Sequence, residues 1–185
     1  MNARRTFVGF VVTGCLVVST AVLLPTVGWS QDVKVENAME LLRRNAAKLG
    51  PPKIEGTDTV ASKPVPALYF GSTKINNTVD LVDSVTMQAG GSGLVAASEV
   101  NVTIFVKSGE EYVRVSTNVK KDDGTRAIGT TLDPKGKVIE SIKKNEPFYG
   151  NVDVLGKPYV TGYEPIHDES DDVIGIYFVG CLGTC

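Results

Sequence analysis

A polar face along the middle of the chain carries the residues best suited to chemistry. Tyr112, Arg114 and Ser116 recur at every second position, so in a strand they share one face and the intervening valines share the other. If this face is covered, burying an unpaired guanidinium costs free energy, so it needs a carboxylate partner. The planar guanidinium can bind a carboxylate through two parallel hydrogen bonds. The pattern therefore predicts that Arg114 orients a ligand carboxylate; a salt bridge to a nearby glutamate or plain solvent exposure are the alternatives.

Hydroxyl groups, aromatic rings and one amine farther along the chain extend this predicted site. Tyr159, Thr161 and Tyr163 fall on one face at period two, and Lys157 lies in a Gly-Lys-Pro turn from which it could reach an anion. The alternatives are packing residues and a solvated lysine. The full set of candidate ligand-binding residues is Tyr112, Arg114, Ser116, Thr130, Tyr149, Lys157, Tyr159, Thr161 and Tyr163.

Several other chemistries are excluded or disfavoured by the sequence. His167 is the single histidine and no nucleophile elbow accompanies it, so a Ser-His or Cys-His enzyme is not expected. The acidic turn around it lacks the glycine and terminal glutamate of a calcium loop, and no metal or cofactor is predicted. The glycines of residues 90–93 follow a predicted helix, so they do not form a phosphate loop. We expect no catalytic residues and no enzyme activity.

The N-terminus has the pattern of an export signal. Arg4 and Arg5 precede an apolar run over residues 7–24, and small residues follow, which predicts cleavage between Ser30 and Gln31. An uncleaved membrane anchor is the main alternative, and a lipoprotein at Cys15 is a weaker one. Without residues 1–30 the chain has 17 basic and 21 acidic residues, a net charge of −4, which argues against nucleic-acid binding.

The C-terminus contains a possible disulfide. Cys181 and Cys185 have three residues between them, including a glycine, and an oxidising compartment would allow them to close a small loop. Alternatively Cys181 is buried at a strand end and Cys185 is free. Two cysteines without a nearby histidine do not make a zinc site.

The rest of the chain divides into helices, a loop and a series of strands. Apolar residues at three- and four-residue spacing predict a helix over Asp32–Leu49, which could dock on a sheet or form a homodimer. Proline and glycine predict a loop over Lys53–Pro66. Two further helices are expected, over Asn77–Gln88 and from an Asp133-Pro134 cap to Lys144.

The strand segments follow this first helix and surround the third. They are predicted over residues 67–75, 100–107, 112–120, 126–131, 152–155, 159–165 and 173–179. Asp122-Asp123-Gly124 is a hairpin signal. This order predicts an α+β fold, a long N-terminal helix followed by one antiparallel sheet with covering helices.

Three long segments resemble the single Cache domain, a PAS-like extracytoplasmic sensory module. They are FVKSGEEYVRVSTNVKKDDGTRAIGTTL, EPFYGNVDVLGKPYVTGYEPI and DDVIGIYFVG. The resemblance covers about residues 67–180 and implies a five-stranded antiparallel sheet with a small-molecule pocket between one face and the covering elements. Residues 94–99 look like an insertion relative to this family.

The resemblance implies a sensory, ligand-binding function in the periplasm or outside the cell, with a role in signal transduction such as chemotaxis. The expected domains are a signal segment (1–30), a helix and loop (31–66) and a Cache domain (67–185). We expect the ligand to be a short carboxylate or an amino-acid-like metabolite. Because the sequence stops at Cys185, we expect no signalling domain in this chain. The alternative is an anchored module that partners a separate membrane receptor or kinase.

Overall fold

The computed structural model describes residues 29–91 and 100–183. These contain three helices, at Trp29–Leu49 (α1), Asp80–Gly91 (α2) and Lys137–Lys143 (α3), and eight strands. The strands are Pro52–Val60 (β1), Lys63–Phe70 (β2), Thr73–Lys74 (β3), Val100–Ser108 (β4), Glu111–Thr117 (β5), Phe148–Val154 (β6), Lys157–His167 (β7) and Val173–Leu182 (β8). The predicted apolar segment 7–24, the possible insertion 94–99 and Cys185 lie outside the described residues.

The main sheet has five antiparallel strands in the order β5-β4-β8-β7-β6, and a small antiparallel sheet has the order β1-β2-β3. One face of the main sheet packs against α1 and α2 through residues such as Ile104 and Val179. The other face carries Phe105 and Phe178 and is covered by the segment that contains α3. This α+β arrangement gives the sheet two separate cores, and the candidate site lies on the α3 side.

The apolar stripe of α1 packs on the sheet. Val35, Met39, Leu42 and Ala46 are each at most 1% exposed and belong to the core on that face. Burial of an amphipathic face provides most of the stability of such a helix. The outward face of α1 is polar, so a homodimer through this helix would have to use charged residues such as Glu40 and Arg44.

The predicted loop over residues 53–66 was wrong. This segment forms the hairpin of β1 and β2, in which Thr57 pairs with Pro66 and Thr59 pairs with Pro64. Proline is tolerated here because the backbone groups of Pro66 point away from β1, toward Asn76. The missing N–H groups therefore remove no bond from the β1–β2 ladder, and the proline content of the sequence obscured the strand.

Two predicted boundaries on the α3 side also differ from the structure. Residues 126–131 form isolated bridges instead of a strand, because a turn with Gly129 at a φ of +84° interrupts the extended chain. The segment still lies along β5, where the Arg114 N–H donates to the Thr130 carbonyl at 2.8 Å. The third helix begins at Lys137, with Gly136 as an N-cap that makes no side-chain bond, whereas the Oδ1 of Asp133 accepts the N–H of Lys135.

Asn76 gives a test of how β2 is held to the turn that follows β3. Its side chain is fully buried, accepts the Leu68 N–H at 2.9 Å and donates to the Pro66 carbonyl at 3.0 Å. Asn76→Ala leaves both backbone groups unpaired, so we expect a loss of about 2 kcal/mol or more in unfolding free energy. Chemical denaturation measures it. The exposed Asn37→Ala is the control and should change stability by less than about 0.5 kcal/mol; equal effects would contradict this account.

Candidate ligand-binding site

Arg114 is a buried cation on the α3 side of the sheet. Its residue surface is 4% exposed, and its Nη1 donates to the Thr130 Oγ1 at 2.5 Å. The Cζ atom lies 4.9 Å from the centre of the Phe105 ring, which gives a cation–π contact. Its Nε has no hydrogen-bond partner among the described residues, and no described carboxylate forms an ion pair with it. Its hydrogen-bonding capacity is thus only partly used.

A cavity of about 500 Å³ adjoins this guanidinium. Arg114 of β5 and Tyr163 of β7 contribute to it, and the covering segment, β6 and the turn after β6 supply the other walls. The lining residues are Arg114, Thr131, Leu132, Asp133, Gly136, Lys137, Val138, Asn151, Val152, Asp153, Val154, Leu155, Gly156 and Tyr163. The size suits a small metabolite, and the walls combine apolar surface with a few polar groups, as small-molecule sites generally do.

The charges in this cavity are arranged by depth. Arg114 is buried, whereas Asp133, Lys137 and Asp153 are exposed. The Oδ1 of Asp153 accepts the Gly156 N–H at 2.6 Å, which fixes the turn after β6. A ligand entering the cavity would therefore pass charges of both signs before reaching the buried guanidinium.

Burial affects the protonation of the groups around Arg114. Desolvation lowers the pKa of Arg114 to about 10, although the nearby Tyr163 and Tyr159 oppose the shift. Desolvation also raises the pKa of Tyr163 and of Tyr159, so both phenols stay neutral at physiological pH. The cavity therefore presents a positive charge and neutral hydroxyl groups.

Five of the predicted site residues lie on the Arg114 face. Arg114 and Tyr163 line the cavity, and Thr130 holds the guanidinium while donating its own hydroxyl to the Ala127 carbonyl at 2.8 Å. Tyr159 packs in the same core as Tyr163. Thr161 lies between these tyrosines along β7, but its hydroxyl donates a hydrogen bond to the Gly150 carbonyl at 2.8 Å.

Ser116 and Tyr149 lie on the opposite face of the sheet, so the predicted shared face with Arg114 was wrong for Ser116. The register shifts between Ile104 and Phe105, because Ile104 pairs with Ser116 and Phe105 pairs with Arg114. This bulge turns Ser116 toward α2, where its hydroxyl donates to the Thr78 carbonyl at 2.6 Å.

Tyr149 connects β6 and β7 to α1. Its hydroxyl donates to the Glu164 Oε1 at 2.6 Å, and the Glu164 Oε2 is 3.3 Å from the Arg43 Nη1. Desolvation and Glu164 together raise the pKa of Tyr149. The phenol is thus occupied by an interaction on the side of the sheet away from the cavity.

The remaining two predicted residues lie beside the cavity. Tyr112 is on the α3 side but lines a separate cavity of about 300 Å³ with residues such as Lys107 and Asp172. Lys157 follows the lining residue Gly156, and its Nζ is 3.0 Å from Asp122 Oδ1. That aspartate lies in the predicted hairpin turn, so this ion pair links the start of β7 to the turn at residues 122–124.

The sequence did not point to five polar residues that line the cavity: Thr131, Asp133, Lys137, Asn151 and Asp153. For Asp133 the sequence predicts a helix cap. Asn151 and Asp153 alternate with Val152 and Val154, which is a signal of a strand with one polar face. The position of β6 at the edge of the sheet, beside the covering segment, places Asn151 and Asp153 in the lining of the same cavity as Arg114.

No group of three or more potential metal ligands occurs within residues 29–91 and 100–183. Cys181 is disulfide-bonded, and because Cys185 lies outside the described residues, the predicted Cys181–Cys185 pairing stays a prediction.

A family model for the Cache 3/Cache 2 fusion domain matches residues 19–184. The chain belongs to this family. The match includes α1 and the β1–β2 hairpin as well as the main sheet. No curated protein matches the chain.

Cache domains are extracytoplasmic sensory domains that bind small molecules, and this Cache chain has that role at the level of the family. Among the helices that the structure describes, none has the length and apolar character needed to cross a membrane. The family assignment and the cavity at Arg114 point to the same kind of function, ligand capture.

Proposed function

We propose that the cavity at Arg114 binds a small carboxylate, and that the chain is the ligand-capturing part of an extracytoplasmic sensor. The observation that supports this most is the buried guanidinium, whose Nε has no hydrogen-bond partner and which forms no ion pair with a described carboxylate. A charge that is buried without a counter-ion is costly, and a ligand carboxylate would supply the missing partner.

The cost of this burial can be placed on an energy scale. A pKa lowered from 12.5 to about 10 corresponds to roughly 3 kcal/mol of unfavourable burial of the charged form. Because the folded pKa of this cation is lowered, the penalty applies throughout the pH range below about 10 and fades only above it. A carboxylate beside the guanidinium would offset it with charge-assisted hydrogen bonds.

The exposed acids of the cavity support a narrower class of ligand. Asp133 and Asp153 are exposed residues of the lining and could hold an ammonium group, whereas Lys137 favours a second anion. Both an amino acid and a short dicarboxylate would match part of this pattern. The amino acid would pair its carboxylate with Arg114 and its ammonium with an aspartate, and it is the ligand that we propose first.

Calorimetry with matched pairs of compounds tests this proposal. Short monocarboxylates, dicarboxylates and α-amino acids are titrated into the full chain, purified as its host processes it, beside the amides of the same acids. We expect at least one acid to bind and its amide to bind about a hundredfold more weakly, because the amide lacks the charge that pairs with Arg114. Equal binding of acid and amide, or no binding acid in the set, would refute the carboxylate assignment.

The pH dependence of binding follows from the same charges. Arg114 stays protonated until the pH approaches its pKa of about 10, and a ligand carboxylate is ionised above a pH of about 5. We therefore expect the affinity to be constant between about pH 6 and 9, and to fall on either side of that plateau. Calorimetry in buffers of equal ionic strength measures the profile. A steep change near pH 7 would mean that another group governs binding.

We also infer that the domain acts outside the cytoplasmic membrane after export directed by residues 1–30. The basic head and apolar run of this segment support the inference, as does the compartment in which the family works. Mass spectrometry of the protein from an exporting host should find Gln31 as the first residue. A retained Met1 would favour the anchored form, in which α1 continues from a membrane segment and passes the ligand state to a receptor or kinase.

A further inference from the structure

A second cleft lies between the two helices on the other face of the sheet. It has a volume of about 470 Å³ and is formed by the last turns of α1, by β3 and the residues after it, and by α2. The residues used below are Asn45, Lys48, Leu49, Ile75, Asp80 and Leu81, and all of them line this α1–α2 cleft. It is separated from the cavity at Arg114 by the main sheet, because α1 and α2 pack on the opposite core.

Asn45 is the unusual residue of this cleft. It follows Leu42 by three positions, so it lies on the apolar stripe of α1, and it is 7% exposed. Its Oδ1 accepts a hydrogen bond from the Lys48 Nζ at 3.2 Å, which fixes the orientation of the amide. The Nδ2 has no hydrogen-bond acceptor among the described residues. A buried donor without an acceptor is costly, and a ligand that supplies an acceptor would offset this cost.

The charges of the cleft favour an anion. Its charged lining residues are two lysines and one aspartate, Lys48, Lys74 and Asp80, which gives a net charge of +1. Lys74 is 3.2 Å from Asp58 Oδ2, whereas Lys48 forms no ion pair within the described residues. The Lys48 ammonium and the Asn45 Nδ2 are adjacent donors. The Oδ1 of Asn45 already accepts from Lys48, so the amide presents its donor to a ligand.

Most of the accessible surface of the cleft is apolar, although Thr73, Thr78, Ser84 and Gln88 also line it. Leu49 of α1, Ile75 after β3 and Leu81 of α2 contribute side chains from three directions. A ligand with an apolar body would bury this surface while its polar end meets the donors, which is the usual division of roles in a small-molecule site.

We propose that the α1–α2 cleft is a second binding site, for a compact apolar monocarboxylate whose oxygens accept from Asn45 Nδ2 and Lys48 Nζ. The bound molecule braces the end of α1 against α2. The site does not depend on the function proposed for Arg114, because the two cavities share no lining residue.

NMR spectroscopy of the ¹⁵N-labelled full chain tests this directly. The probes are isovalerate and benzoate, and their uncharged counterparts are isovaleramide and benzamide. The side-chain NH₂ signals of Asn45, assigned by their loss in the variants, should shift downfield and saturate with either acid, and the amides should shift them much less. An Asn45 signal that does not respond to the acids, or that responds equally to the amides, overturns the proposal.

Two variants separate binding from folding. Asn45→Asp keeps the size and the contact with Lys48 but replaces the free donor with an acceptor, so it should weaken binding of both acids at least about tenfold. Asn45→Leu restores the apolar stripe, and it should raise the melting temperature of the unliganded chain while removing the binding. Unchanged affinity in Asn45→Asp would overturn the proposal.

The Arg114→Met chain distinguishes the two sites. If the acids bind in the α1–α2 cleft, this chain shows the same Asn45 shift as the unaltered protein, even where the cavity at Arg114 has lost its ligand. A shift that disappears in Arg114→Met would show that the probes act through the first cavity, and it would overturn the second site without affecting the first.

Discussion

Replacing Arg114 with methionine is expected to remove carboxylate binding from the cavity at Arg114 and to make the unliganded domain more stable. Methionine is a flexible apolar residue that can fill the space against Phe105, and it removes a charge that has no counter-ion among the described residues. Thr130 keeps its bond to the Ala127 carbonyl after the change, so no hydroxyl is stranded. We expect affinity to fall about a hundredfold or more, and the unfolding free energy to rise by about 1–3 kcal/mol.

Arg126, whose guanidinium is paired with a carboxylate, provides the matched control. Arg126 makes two bonds to Asp83, at 2.8 Å and 2.9 Å, and a third to the Thr117 carbonyl at 2.8 Å. Arg126→Met leaves these acceptors without their donor, so it should lower stability, by about 1 kcal/mol because the pair is partly exposed. The same substitution thus has opposite signs at a paired and at an unpaired arginine.

Chemical denaturation of the two variants, beside calorimetry with the acid found to bind, measures both effects. A loss of stability in Arg114→Met comparable to that in Arg126→Met would mean that Arg114 is held by interactions within the protein. Retained affinity in Arg114→Met would assign ligand recognition to other residues of the cavity. Arg114→Lys, which keeps the charge but loses the fork, should bind with intermediate affinity.

The position of Arg114 could be predicted because it depends on local alternation. In a regular strand the neighbours at 113 and 115 point one way and Arg114 the other, and the core contains Val113 and Val115 on the α1 side. Ser116 could not be placed in this way, because the bulge opposite Ile104 puts two consecutive residues on the same face. A bulge depends on pairing with another strand, and no feature of Ser116 itself indicates it.

The covering side of the cavity depends on contacts between residues that are distant in sequence. Lys137 and Asp153 approach Arg114 only because Val138, Ile139 and Ile142 of α3 pack on the sheet and β6 pairs with β7. Their sequence patterns indicate an amphipathic helix and an edge strand, and they do not indicate which cavity the elements enclose. The sequence thus identified the buried end of the site and missed its exposed end.

Replacing Gly71 with alanine is expected to destabilise the domain strongly, and more than the same substitution at Gly109. Gly71 has a φ of +56°, and a Cβ at this position would lie 2.2 Å from the Leu49 carbonyl oxygen, which is backbone and cannot move aside alone. The Gly71 N–H also donates to the Pro51 carbonyl at 2.9 Å, so the close approach joins the end of α1 to the end of β2. We expect a loss of about 3 kcal/mol or more, from left-handed strain and overpacking together.

Gly109→Ala separates these two contributions. Gly109 has a φ of +61°, close to that of Gly71, but a Cβ there meets no atom within 4 Å. Its substitution should therefore cost only the backbone strain, about 1 kcal/mol. Unfolding in denaturant measures both variants, and the difference between the two losses is the cost of the overlap between the added Cβ and the Leu49 carbonyl. Equal losses would mean that the added methyl group meets no obstacle, and they would contradict the close approach of Gly71 to the end of α1.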